Sequence, residues 1–107
     1  MPRWLLGALK RIRKRAAARR VAFTLRARRE LAQLGMGLDE EDACELLARL
    51  ASEDSAGRTP SDATGEWMYV FRPKLAGATL YVKVVLRSEC IVVSFHEDGG
   101  GDEDQGA

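Results

Sequence analysis

Apolar residues at Leu5, Leu9, Ile12 and Ala16 follow the i, i+4, i+7, i+11 spacing of one helical stripe, so the pattern predicts a helix over Trp4 to Ala18. Lys10, Arg11, Arg13, Lys14 and Arg15 interrupt or flank that stripe and make the helix basic and amphipathic. Val21 to Thr24 is a short β-prone stretch, and Thr24 suits the N-cap of a second helix running to about Leu34, stopped by Gly35 and Gly37. A third helix follows from Asp39 as N-cap, with Glu40, Glu41 and Asp42 in a first turn that the helix dipole favours for acids. Ala43, Leu46, Leu47 and Leu50 form its buried stripe. Ser52 to Gly65 holds Pro60, two glycines and seven Ser, Thr or Asp residues, the composition of a mobile loop. Beyond it the period falls to 2, and Glu66 to Arg72, Thr79 to Arg87 and Cys90 to His96 suit three strands of an antiparallel meander.

Alternation along those strands sorts side chains by face. Trp67, Tyr69, Phe71, Leu80, Val82, Val84, Leu86, Ile91, Val93 and Phe95 form an apolar set expected to face the helices. The opposite face then carries Met68, Val70, Arg72, Tyr81, Lys83, Val85, Cys90, Val92, Ser94 and His96. A two-residue turn at Ser88 and Glu89 sets Arg87 opposite Cys90, Val85 opposite Val92, Lys83 opposite Ser94 and Tyr81 opposite His96. The first hairpin sets Arg72 beside Tyr81 and Val70 beside Lys83.

The length of 107 residues suits one modest domain, here residues 1–98 with the basic helix within 1–20; residues 99–107, built only of Gly, Asp, Glu, Gln and Ala, suit a disordered acidic tail. The formal net charge of +1 hides a strong asymmetry: Met1 to Gly35 carries 11 Lys/Arg against the single acid Glu30, and Met36 to Ala107 carries 6 against 15. A dense basic block is either a solvated face or a surface for a polyanion. The apolar run Trp4 to Leu9 has six residues, far short of the roughly 18 to 20 that span a bilayer, and basic residues follow it, the reverse of a secretory signal. No membrane association is expected, and the chain suits the cytoplasm. Cys44 and Cys90 lack CxxC spacing and suit buried, reduced thiols; no zinc, dinucleotide, P-loop or serine-triad motif occurs, so no metal and no cofactor is expected.

Arg72, Lys83, Tyr81 and His96 on one sheet face suit phosphodiester cleavage by the RNA's own 2′-hydroxyl. That reaction needs a group to take the 2′ proton, cations for the phosphorane and an acid for the 5′ oxygen. Imidazole titrates near neutrality in water, which singles out His96 for proton transfer, while Arg72 and Lys83 suit phosphate. The same pattern also describes an ordinary solvated strand face. Trp4 and Trp67 suit packing ahead of base stacking.

LDEEDACELLARL, then EWMYVFRPKL, then LYVKVVLRSECIVVSFHED resembles the MqsR toxins, the mRNA interferases of type II toxin–antitoxin modules. The similarity spans about Leu38 to Asp98 and is most specific at Trp67 to Pro73, at Tyr81-Val82-Lys83 and at Val93-Ser94-Phe95. It implies an α+β, RelE-like fold with N-terminal helices packed on one face of a C-terminal antiparallel sheet. It further implies a ribosome-independent endoribonuclease that cuts mRNA at short GC-containing sequences and inhibits growth. A cognate antitoxin is implied as partner, with DNA contacted only through the toxin–antitoxin complex. Family active sites use two lysines, a glutamine and a tyrosine. Tyr81 matches the tyrosine, His96 stands at the C-terminal lysine, Met68 at the glutamine, and Arg58 is the cation nearest the remaining lysine; Ser94 joins Arg58 and Met68 as a substrate-binding candidate. Related RelE-fold nucleases use a histidine near the end of the last strand, which fits His96, whereas Met68 cannot hydrogen-bond as glutamine does. A non-catalytic relative that only binds its antitoxin or nucleic acid is the alternative.

Overall fold

The computed structural model describes residues 1–99; Gly100 to Ala107, most of the expected acidic tail, lie outside them. Helix α1 (Arg3–Ala17) buries Leu5, Ala8, Leu9, Ile12 and Ala16, the expected stripe with Ala8 added. The chain leaves α1 through Arg19, which takes the left-handed conformation at φ 60° and carries a side chain there. Such backbone is costly for any residue but glycine, by roughly 1 to 2 kcal/mol. The guanidinium of Arg19 ties the turn down by donating to Glu41 and Glu45 of the third helix and to the Ala16 carbonyl.

Strand β1 (Val21–Phe23) leads into α2 (Leu25–Gln33), whose first turn is capped by the Thr24 hydroxyl accepting from the Ala27 amide at 3.1 Å. Helix α3 (Glu40–Ala48) opens with a reciprocal box: Asp39 accepts from the Asp42 amide at 2.8 Å, and Asp42 accepts from the Asp39 amide at 3.0 Å. The Asp42 backbone bond holds the Asp39 carboxyl below its usual value. Among the described residues no helix is long and apolar enough to cross a membrane.

Strands β2 (Ser55–Pro60), β3 (Trp67–Phe71), β4 (Lys74–Leu75), β5 (Ala78–Leu86) and β6 (Cys90–Glu97) complete a six-stranded sheet in the order β1-β6-β5-β3-β2, with β4 pairing β5. The fold is α+β, as expected. The sheet is mixed, however, because β1 runs parallel to β6 with Val21 opposite Cys90 and Phe23 opposite Val92. The helices and sheet enclose a core that includes Leu9, Ile12, Ala27, Leu47, Phe71, Val82, Val92 and Phe95.

Four expectations are corrected. Ser52 to Gly65 is not simply a loop: a 3-10 turn at Ser52–Asp54 leads into β2, which pairs with β3 from Ser55 opposite Phe71 to Pro60 opposite Trp67. Its polar, glycine- and proline-bearing sequence is that of an edge strand, stabilised by the neighbouring strand and not by a buried face of its own. The facing of β6 also changes along its length. Leu86 opposes Cys90 and Val84 opposes Val92, so Cys90 and Val92 enter the core where Ile91 and Val93 were expected. The turn holds three residues, Arg87 to Glu89, closed by the Arg87 amide donating to the Glu89 carbonyl at 2.9 Å. The register slips back at Val93, which stands as one extra residue in β6, so Lys83 still opposes Ser94 and Tyr81 still opposes His96. Trp67, placed in the expected core set, is 44% exposed.

Candidate active site on the outer sheet face

The sheet face turned away from the main core is floored by Val70 and Val85, both buried yet outside the main core cluster. Between and beyond them stand Lys83 opposite Val70 on one side and Ser94 on the other, and Tyr81 opposite His96. The β3–β5 register continues past Phe71, as the Leu80 amide donating to the Pro73 carbonyl at 2.8 Å and Lys74 opposite Thr79 require, which puts Arg72 opposite Tyr81. Arg72, Tyr81, Lys83 and His96 therefore share one surface. Met68 lies on the same face opposite Val85, half-buried.

The rings of Tyr81 and His96 stack with centroids 5.0 Å apart and planes inclined at 16°. His96 Nδ1 lies 2.9 Å from the Glu97 carbonyl, which can only accept, so Nδ1 carries the proton in this contact, and it is Nε2 that bears the lone pair in the neutral ring. Burial pushes the Lys83 ammonium below its ordinary value, the Arg26 charge adds to that, and the Glu30 carboxylate opposes both. Arg72 Nε lies 3.3 Å from Asp98 Oδ2, and both side chains keep substantial exposure. At the far end of the face Arg87 donates two hydrogen bonds to Glu66, at 2.9 and 2.7 Å, and this pairing brings the Glu66 carboxyl down to about 2.

Helix α2 sits against the end of β6 beyond the short β1. There Glu30 accepts from the Phe95 amide at 2.8 Å, satisfying a backbone donor that no strand reaches, and also from Arg26 at 3.1 Å. A cavity of about 300 Å³ opens beside His96, lined by Glu30, Gln33, Leu34 and Glu97. A wider groove of about 410 Å³ lies elsewhere, between α3 and the β4 bend, and contains none of the four converging groups.

Two sequence candidates do not join this surface as expected. Ser94 is on the right face beside Lys83 but 1% exposed, and its hydroxyl is buried without a partner, so it is not open to a ligand. Arg58 pairs with Tyr69 and so turns to the helix side of the sheet. Its guanidinium lies 3.8 Å from the Trp67 ring centroid and 4.8 Å from that of Trp4, with Trp4 itself 5.6 Å from Tyr69. That sandwich explains the exposed position of Trp67 and occupies Arg58 away from Tyr81. Conversely, Glu30 and Asp98 stand beside the site without having been singled out from sequence. Glu30 carried one signal, as the sole acid in the basic first third of the chain; Asp98 carried none until the register brought it to Arg72. Among the described residues no three His, Cys, Asp or Glu side chains converge on a metal position, and both cysteines are buried and unpaired.

Comparison with known proteins adds a second line. A family model described as "Motility quorum-sensing regulator, toxin of MqsA" matches residues 5–97. The "mRNA interferase toxin MqsR" of Escherichia coli (strain K12) is 33% identical over 64 residues, which cover 58% of this chain and 64% of that relative, short of two thirds of its length.

Proposed function

Since the chain belongs to the MqsR toxin family, we propose that it is the toxin of a type II toxin–antitoxin module and an endoribonuclease whose catalytic surface is the outer sheet face of residues 1–98. The observation that carries this reading is the convergence of Arg72, Tyr81, Lys83 and His96 on that face, with His96 Nδ1 engaged by the Glu97 carbonyl so that Nε2 is the ring nitrogen left for the substrate. In the reaction His96 takes the 2′-hydroxyl proton and the 2′ oxygen attacks the adjacent phosphorus. Arg72 and Lys83 offset the charge of the phosphorane, and the 5′ oxygen leaves with a proton from Tyr81 or Lys83. The products are a 2′,3′-cyclic phosphate and a 5′-hydroxyl. Every proton and charge in this scheme is handled by side chains, so the reaction proceeds without metal and without the ribosome.

The proposal extends to short GC-containing mRNA sequences as substrate and to neutralisation by a cognate antitoxin, which family membership supports. Met68 at the family's glutamine position is expected to change the sequence preference, and the cavity beside His96 with Gln33 and Glu97 offers polar groups to a neighbouring base. Incubating the purified protein with mixed RNA in EDTA tests the reading. Fragments ending in cyclic phosphate, formed by wild type and strongly reduced in His96→Ala, are expected. Intact RNA in both samples would leave the binding-module reading, in which growth arrest survives loss of Tyr81 and His96 together.

A further inference from the structure

At the C-terminal end of α1 a cavity of about 270 Å³ is lined by Arg11, Lys14, Arg15, Ala18 and Arg20. Four of its five walls are cationic and none is acidic. None of these four forms an ion pair among the described residues, although acids are close in the fold. Those acids are engaged elsewhere: Glu41 and Glu45 hold Arg19, and Glu40 holds Arg28. Arg15 has one guanidinium nitrogen, Nη1, buried without a hydrogen-bond partner, an uncompensated donor of a kind that folded proteins rarely leave. Neighbouring Cys90 supplies no counter-charge, because burial raises its thiol to about 12. Arg20 is fixed at the rim by donating to the Ser88 carbonyl at 3.0 Å.

We propose that this pocket is a second anion site, which takes a backbone phosphate of the RNA at a distance from the reacting bond. Guanidinium groups fork onto phosphate oxygens, and three of the four cations here are arginines. An acidic peptide fits less well: a protein interface needs an apolar centre, and the only apolar wall is Ala18. The Arg20 carbonyl accepts from the Cys90 amide at the start of β6, whereas His96 lies six residues further along the strand. At roughly 3.3 Å per residue the pocket is about 20 Å from the proposed reaction centre. It therefore raises affinity and sets the path of the strand without touching the chemistry. The inference rests on the nuclease reading only in naming RNA as the polynucleotide.

The test uses the full chain and a labelled, 2′-O-methylated single-stranded RNA that cannot be cleaved, titrated between about 50 and 200 mM salt. Arg11→Ala combined with Lys14→Ala removes two exposed cations that the core does not need, and Arg15→Gln probes the buried one. The double variant is expected to bind more weakly at low salt, with the slope of log affinity against log salt reduced by about 1.4, or about 0.7 for each lost phosphate contact on a single strand. Arg3→Ala, on the same helix but outside the pocket, retains the wild-type affinity. With cleavable RNA the double variant shows a raised KM and unchanged kcat. An unchanged salt slope overturns the proposal, as does loss of binding to a poly-glutamate peptide with RNA binding intact, which assigns the pocket to an acidic protein. If wild type binds RNA through this pocket but cleaves none, the nuclease reading fails and the pocket stands.

Discussion

Tyr81 and His96 face each other across β5 and β6 and stack at 5.0 Å, so the phenol fixes the plane in which the imidazole presents Nε2. Tyr81→Phe keeps the ring and removes the hydroxyl, whereas His96→Ala removes the proton acceptor. A group that transfers a proton in the transition state contributes about 10²- to 10⁴-fold, so a loss of that size in single-turnover cleavage, with an unchanged circular dichroism spectrum, is expected for His96→Ala. A smaller loss in Tyr81→Phe would assign the phenol to positioning and the leaving-group proton to Lys83.

The Glu30 carboxylate supports the charge of Lys83 against burial and Arg26. Glu30→Gln preserves an acceptor for the Phe95 amide but deletes the carboxylate that supports the charged form of Lys83, so the limb of the pH–rate profile governed by Lys83 moves to lower pH. Stability carries the same sign. The folded-state value of Lys83 lies below the ordinary 10.5, so the folded chain binds fewer protons in that window and gains stability as pH rises through it. Urea titrations of Lys83→Met are expected to lack that rise.

Asp98 pairs with Arg72, one of the two cations proposed for the phosphate. Asp98→Asn is expected to raise RNA affinity a few-fold at low salt, with the two proteins converging as salt screens the exposed pair. Equal affinities at low salt would remove Arg72 from the binding surface.

Glu66, held by Arg87, titrates near 2 instead of 4.5. The stabilisation from this pair is complete above about pH 4.5 and disappears as pH falls through about 2. Glu66→Gln is therefore less stable than wild type at neutral pH by a small, solvent-screened amount, and denaturation midpoints of the two chains converge near the acid end.

Ser94 buries a hydroxyl that finds no partner. Replacing it by Ala removes an unsatisfied group at the cost of little volume, and a gain of about 1 kcal/mol in unfolding free energy is expected. A loss instead would show that the hydroxyl is bonded in solution.

The helices were legible because each carries its own signals: the Leu5 to Ala16 stripe, the Thr24 cap and the Asp39 box depend on residues three or four apart. The meander was legible from alternation. β2 was not, since nothing in Ser55 to Pro60 is apolar enough to announce a strand, and its pairing comes from β3. The site's four main residues came out of strand parity for a reason that sequence conceals: a turn one residue longer than expected shifts the register, and Val93 shifts it back. Arg58 enters the candidate set only through the family resemblance, and its place opposite Tyr69 cannot be counted from Ser52 to Gly65, whose composition is that of a loop. The contacts of Glu30 and Asp98 join residues distant in sequence, and no local pattern encodes them.

The extra residue at Val93 divides β6 into two segments in different phase. The first, Cys90 to Val92, is timed by the turn and by β1; the second, Ser94 to Glu97, is timed by Lys83 and Tyr81. The irregularity thus uncouples the phase of the turn from that of the Tyr81–His96 pair. The one residue by which the turn at Arg87 to Glu89 displaces the register is offset at Val93, before it reaches the Tyr81–His96 stack.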